Sequence, residues 1–124
     1  MKPKEFRAWD RKCKKMTYPF TLFDLTIQQQ DTIITNQSID GKYHKLKNCD
    51  VMEYMGQKDK NSQKIYENDC LVYTTVIDGE EKESVNRVII EWNNERSHFN
   101  MPNPTVNKLK IIGNIYEKPE LIKV

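Results

Sequence analysis

The sequence is poor in the residues that most readily announce a chemistry. It has two histidines and three cysteines, and Cys13, Cys49 and Cys70 stand far apart. Zinc motifs place Cys or His at short spacings. Here His44 and Cys49 are the one near pair and no C-x-x-C occurs, so the spacing argues against a metal site and for exposed histidines and buried, inert thiols. An odd number of thiols, with no apolar leader in the charged start Met1–Arg7, reads as reduced cysteines in a cytosolic protein. The four glycines are isolated at 41, 56, 79 and 113, so no glycine-rich phosphate loop can be built. No nucleophile elbow is present, and His44 and His98 fall in polar stretches that read as exposed. A tertiary Cys70–His98 pair stays open, but the apolar run around Cys70 favours a core thiol. No apolar run approaches the ~18 residues of a membrane helix; the longest, such as Val88–Ile90, are strand-sized. These absences lead to the expectation of a non-enzymatic protein without cofactor, metal or membrane partner.

What is present is one domain's worth of chain, 124 residues and 14.8 kDa. A chain of this size buries about two-thirds of its unfolded surface, enough for a core without staples. Hydrophobic residues make up 37% and charged ones 31%, with a mean hydropathy of −0.82, but 10% aromatics argue against disorder. The net charge of +2 excludes the strongly basic balance of a dedicated nucleic-acid binder. That charge is unevenly spread. Up to residue 15, Lys2, Lys4, Arg7, Arg11, Lys12, Lys14 and Lys15 face only Glu5 and Asp10, a surplus of five, which leaves about −3 for the remainder. Lys4, Arg7, Trp9, Arg11, Lys12, Lys14 and Lys15 are therefore the candidate interaction surface, able to hold a phosphate backbone and stack a base. The competing reading, in which Phe6 and Trp9 pack into the core and the lysines are simply solvated, carries more weight.

Apolar residues come in short β-branched or aromatic bursts between polar clusters, the pattern of β structure. Phe6–Asp10 reads as a strand, Arg11–Lys15 as a turn, and Met16 and Tyr18 as a returning strand with Pro19 at its edge. Leu25 and Ile27, the turn Gln28–Asp31, and Ile33-Ile34 form a second hairpin, and Asp40-Gly41 a further turn before Tyr43 and Leu46. Val51–Met55 is an apolar segment closed by Gly56, followed by a polar loop over 57–64. After Ile65-Tyr66 and the turn Glu67–Asp69, Cys70–Tyr73 reads as a core strand. Asp78-Gly79 ends that arm, Glu80–Glu83 continues the loop, and Val85–Trp92 is a long strand turned by Asn93-Asn94. Leu109–Ile112 and Ile115-Tyr116 close the pattern. About five strands from residue 51 onward suit a small antiparallel barrel. Asp59, Glu67, Asp69, Glu80 and Glu81 read as turn formers and solubilising groups, with Asp69 bonding backbone amides of its turn. Tyr54, Tyr66, Tyr73 and Tyr116 either line a groove or fill the barrel.

Three blocks in order resemble the YopX family of phage and prophage proteins. They are Phe6–Asp10, the passage Met52–Asn61 continuing to Ile65–Asp69, and Ile112–Glu117 with Pro119–Leu121. The resemblance implies a mainly β fold, with an SH3-like barrel over 49–124 preceded by a β-hairpin-containing segment over 1–48. It also implies a phage or prophage origin, the cytoplasm of a bacterial host and a homo-oligomer, but no activity and no catalytic residues. Asn61-Ser62 stands where the family has Asn-Gly, which disfavours a type I′ turn because Ser tolerates positive φ poorly. Asn68 stands in a Gly position that Asn can fill. The stretch from Glu95 to Asn107 matches nothing fixed in the family and reads as a variable loop. The expected function is a self-associating protein-interaction module binding an unknown phage or host protein, with nucleic-acid binding as the alternative.

Overall fold

A computed structural model describes residues 3–39, 41–77, 80–93, 95, 97–102 and 109–122. The fold is mainly β, 56% strand and 9% helical, with curled antiparallel sheets that include a half-barrel, as the sequence pattern led us to expect. The chain divides into two compact units, Met1–Tyr54 and Met55–Val124. Among the described residues no helix is long and apolar enough to cross a membrane, which says nothing of a β-barrel.

In the first unit, strand β1 (Phe6–Asp10) lies between β2 (Lys15–Met16) and the start of β6 (Cys49–Lys58), antiparallel to both. The β1–β2 turn is fixed by Asp10, whose Oδ1 accepts from the Lys12 and Cys13 amides at 2.9 and 3.2 Å while its carbonyl accepts from Lys14 N at 2.8 Å. The returning strand ends at Met16 rather than reaching Tyr18. Thr17 instead turns its hydroxyl to the Ala8 amide at 2.9 Å. Strands β3 (Leu25–Gln28), β4 (Asp31–Ile39) and β5 (Lys42–Lys45) form a meander in that order. Gln29 and Gln30 join β3 to β4, both at positive φ (50° and 70°), as a type I′ turn requires. Ala8, Phe20, Ile34 and Cys49 make the core of this unit, with Phe6, Leu25 and Leu46 packed against it.

In the second unit, the end of β6 pairs with β7 (Lys64–Tyr66). Gly56 does not close the strand; at φ +80 it lies within it. Strand β8 (Asp69–Ile77) is central between β9 (Glu80–Ile89) and β12 (Lys110–Asn114), while β10 (Trp92–Asn93) pairs with β11 (His98–Phe99). The expected loop at Glu80–Glu83 is strand: Glu83 pairs with Val76 and Glu80 with Ile77. Backbone ladder bonds are indifferent to side-chain charge, so the β-branched partner Thr74–Ile77 extends the hairpin through an acidic run. Asp40 of the expected Asp40-Gly41 turn, Asp78, Gly79, Asn94, and residues 96 and 103–107 of the expected 95–107 loop lie outside the described residues, whereas His98–Phe99 within that loop is strand. Ile65, Leu71, Ile90 and Leu109 form this unit's core.

Three buried polar side chains hold its turns. Asp59 accepts from the amides of Asn61 and Gln63 (both 2.9 Å) and Ile111 (3.1 Å). Asp69 accepts from Tyr66 N at 2.8 Å, and Asn114 Oδ1 from the amides of Tyr116 and Glu117 at 3.0 and 2.9 Å. The Asp59 bonds draw Ser62 to φ +63 despite its low tolerance for that region, while Asn61 keeps negative φ, so no type I′ turn forms. Asn68 takes the left-handed conformation (φ +70), as its place in the turn required.

Candidate functional site

The first unit carries most of the groups that chemistry or recognition can use. Pleating sends Phe6, Ala8 and Asp10 to one face of β1 and Arg7 and Trp9 to the other. Ala8 and Asp10 are buried, whereas Arg7 and Trp9 are half-buried. Of the seven candidate residues, Arg11, Lys12, Lys14 and Lys15 come together on the exposed β1–β2 turn. Lys4 pairs with Glu53 at 3.1 Å. Arg11 pairs with Asp50 at 2.5 Å and donates to the Lys47 carbonyl at 2.8 Å. Part of the basic surplus is thus matched by acids from β6.

A second feature was hidden in the sequence. Tyr18, Leu22, Phe23 and Ile27 are 78, 65, 85 and 76% exposed, four large apolar residues within ten positions. Leu22 and Phe23 sit in a 3-10 turn closed by a capping box, in which the Asp24 carboxylate accepts from Thr21 N at 2.8 Å and Thr21 Oγ1 accepts from Phe23 N at 3.2 Å. The turn is therefore locally ordered although its apolar side chains face water. Ile27 lies on β3, an edge strand that pairs only with β4 among the described residues. Sequence reading gave Tyr18 and Ile27 to strands and assigned Leu22 and Phe23 to no element. The available signal was the Thr21–Asp24 box, which marks Leu22-Phe23 as a surface turn.

A third feature is a cavity of about 490 Å³, lined by residues that include Asp10, Lys12, Asp31, Lys42, Tyr43 and Lys45. Asp31 bridges Lys47 at 3.1 Å and Lys45 at 3.3 Å, and hydrogen bonds from Lys47 and then Lys45 hold its carboxyl below the usual range.

The fourth corrects two expectations. His44 is not exposed but 4% accessible, with Nδ1 2.7 Å from Asp10 Oδ2. Alternation along β5 buries His44 between exposed Tyr43 and Lys45. Burial alone would raise the Asp10 carboxyl, but the hydrogen bonds from His44 and from the Cys13 and Lys12 amides outweigh it and hold it below its ordinary 3.8. An ionised carboxylate only accepts, so the His44 Nδ1 carries the proton. Cys13 is exposed, not buried like Cys49 and Cys70. Local desolvation and the Asp10 charge push the Cys13 thiol up, and burial followed by the Asp10 charge pushes Cys49 to about 12. Neither thiol is tuned as a nucleophile.

In the second unit Cys70 is fully buried, in keeping with a core thiol, and exposed His98 bonds the Phe99 carbonyl at 2.8 Å through Nδ1. Tyr66 is buried there, while Tyr73 and Tyr116 are half-buried.

Comparison with known proteins places this arrangement. The family model described as YopX protein matches residues 5–123. The crystal structure of protein EF1440 from Enterococcus faecalis is similar at 25% sequence identity, covering 97% of this chain and 98% of that one with a TM-score of 0.56. No curated protein matches the chain.

Proposed function

We propose, for a chain that belongs to the YopX family across residues 5–123, a role as a protein-interaction module that self-associates. It is a non-enzymatic phage or prophage accessory protein, working in the cytoplasm of a bacterial host. The observation that carries this reading is the set of exposed side chains Tyr18, Leu22, Phe23 and Ile27 beside the edge of β3 that no strand pairs among the described residues. An unpaired strand edge offers a row of amides and carbonyls to a second chain, and apolar side chains beside it supply the driving force.

Burying one such side chain is worth ~1.5–3 kcal/mol, so four about three-quarters exposed offer about 4.5–9 kcal/mol. Association itself costs about 4 kcal/mol or more. The strip alone therefore gives a weak dimer whose population depends on concentration. Sedimentation velocity on a concentration series tests this. Wild-type mass rises with concentration, and Ile27→Lys stays monomeric with an unchanged circular dichroism spectrum. A wild-type chain that remains monomeric throughout, and captures no partner from infected cells, contradicts the reading.

Nucleic-acid binding is the second reading, supported by exposed Lys12, Lys14 and Lys15 on one turn and by Lys12, Lys42 and Lys45 around a cavity with Tyr43. The ion pairs of Lys4 and Arg11 and the partial burial of Trp9 weigh against it. A salt titration with DNA and RNA decides: no binding at about 50 mM salt removes this reading.

A further inference from the structure

Asp10, Cys13 and His44 bring a carboxylate oxygen, a thiol sulfur and an imidazole nitrogen within 4.8 Å of one another. The three sit at 10, 13 and 44, a spacing that matches no metal motif, and they meet only because β1 and β5 converge. Two are buried and the third is at the surface.

The scaffold around them is fixed. The Asp10 carboxylate is held by the Lys12 and Cys13 amides, and the second of these bonds also positions the Cys13 side chain. Cys49 stands opposite Asp10 in the β1–β6 register, but its thiol already bonds the Lys45 carbonyl at 3.4 Å. The site is also reachable, because Cys13 is exposed and Asp10 borders the cavity.

We propose that Asp10, Cys13 and His44 form a zinc(II) site with three protein ligands and a fourth position open to solvent. A mixed oxygen, nitrogen and sulfur donor set matches zinc, not magnesium or calcium, which take oxygen alone. Tetrahedral zinc, with bonds of about 2.0–2.3 Å, sets its ligand atoms about 3.3–3.8 Å apart. The cluster reaches this by drawing the exposed Cys13 side chain inward and parting the Asp10–His44 pair. On binding, the Cys13 S–H bond breaks and its proton goes to solvent, while bonds form from sulfur, one imidazole nitrogen and one carboxylate oxygen to zinc. Asp10 is already ionised, and a neutral His44 that binds through Nδ1 loses its Nδ1 proton to solvent and takes one from solvent on Nε2, a change of tautomer with no net proton released. One proton is released per zinc and nothing is oxidised or reduced. The site is independent of the self-association surface.

The test uses the full, tag-free chain with zinc and with cobalt(II) as a spectroscopic probe. The expected result is one metal per chain, the intense visible bands of tetrahedral cobalt and a near-ultraviolet thiolate-to-cobalt band. Cys13→Ser, a surface change on an exposed turn, abolishes that thiolate band and weakens zinc by about 100-fold or more, since even an outer partner of a metal ligand is worth 10–100-fold. Cys49→Ala retains the band. Absence of stoichiometric binding, or a thiolate band that survives Cys13→Ser, overturns the proposal.

Discussion

Replacing Asp59 with alanine should cost about 3 kcal/mol of stability without altering the fold. Asp59 is 7% exposed and its carboxylate accepts from three backbone amides, two within its own loop and one 52 residues away. Asn61 and Gln63 are exposed, so water replaces their lost partner and each bond is worth about 0.5–1 kcal/mol. Ile111 is half-buried on β12, where a stranded donor costs about 1–3 kcal/mol. In urea, with a slope of about 1.5 kcal/mol/M, the midpoint should fall by about 2 M at an unchanged slope. Asp59→Asn separates the two contributions: one amide oxygen can keep the loop bonds, but its NH₂ then meets the Ile111 N–H, donor against donor. About half the loss should remain. A loss below about 0.5 kcal/mol in the alanine variant, or an asparagine variant equal to wild type, would refute the assignment of Asp59 as the clasp between its loop and β12.

Other outcomes follow from the same structure. Asp10 titrates below its ordinary 3.8 when folded, so its contribution to stability is complete above that value and is lost as the pH falls through the lowered one. Urea midpoints between about pH 5 and 2 should show this fall, and Asp10→Asn should flatten it. Under native conditions a thiol reagent should modify Cys13 alone, and slowly, because Cys49 is buried with its thiol pushed to about 12 and Cys70 is fully buried. Denaturant should release all three cysteines, and equal native reactivity would contradict the burial. Gly113→Ala should destabilise by about 2 kcal/mol in thermal unfolding. Its φ of +153 disfavours a side chain, and a Cβ would stand 2.9 Å from Leu121 Cδ1 and Lys118 Cδ.

Local chemistry was legible in the sequence at several self-contained turns and strands, though the Thr21–Asp24 capping box went unread. The turn at Gln29-Gln30, the left-handed Asn68 and the core strand at Cys70-Leu71 follow from residues within a few positions of one another. Charge misled at Glu80–Glu83, because ladder bonding depends on the partner strand and not on the acid side chains. The site itself was mostly illegible. His44 meets Asp10 across 34 residues, and only the pairing of distant strands decides that it is buried. Leu22 and Phe23 are left in water by a capped surface turn, and Ile27 by its place on β3, which pairs only with β4 among the described residues. Binary patterning assigns a residue to an element's face, but topology decides whether that face is covered.

The central claim is that the open edge of β3 pairs with a second copy of the chain. Amide hydrogen exchange over Leu25–Gln28, followed across a concentration series, tests it most directly. The amides of β3 that point away from β4 should exchange freely in dilute protein and gain protection as concentration rises, while β8 amides stay unchanged. Exchange at β3 that is independent of concentration, in a protein that nevertheless associates, would place the interface elsewhere and contradict the account.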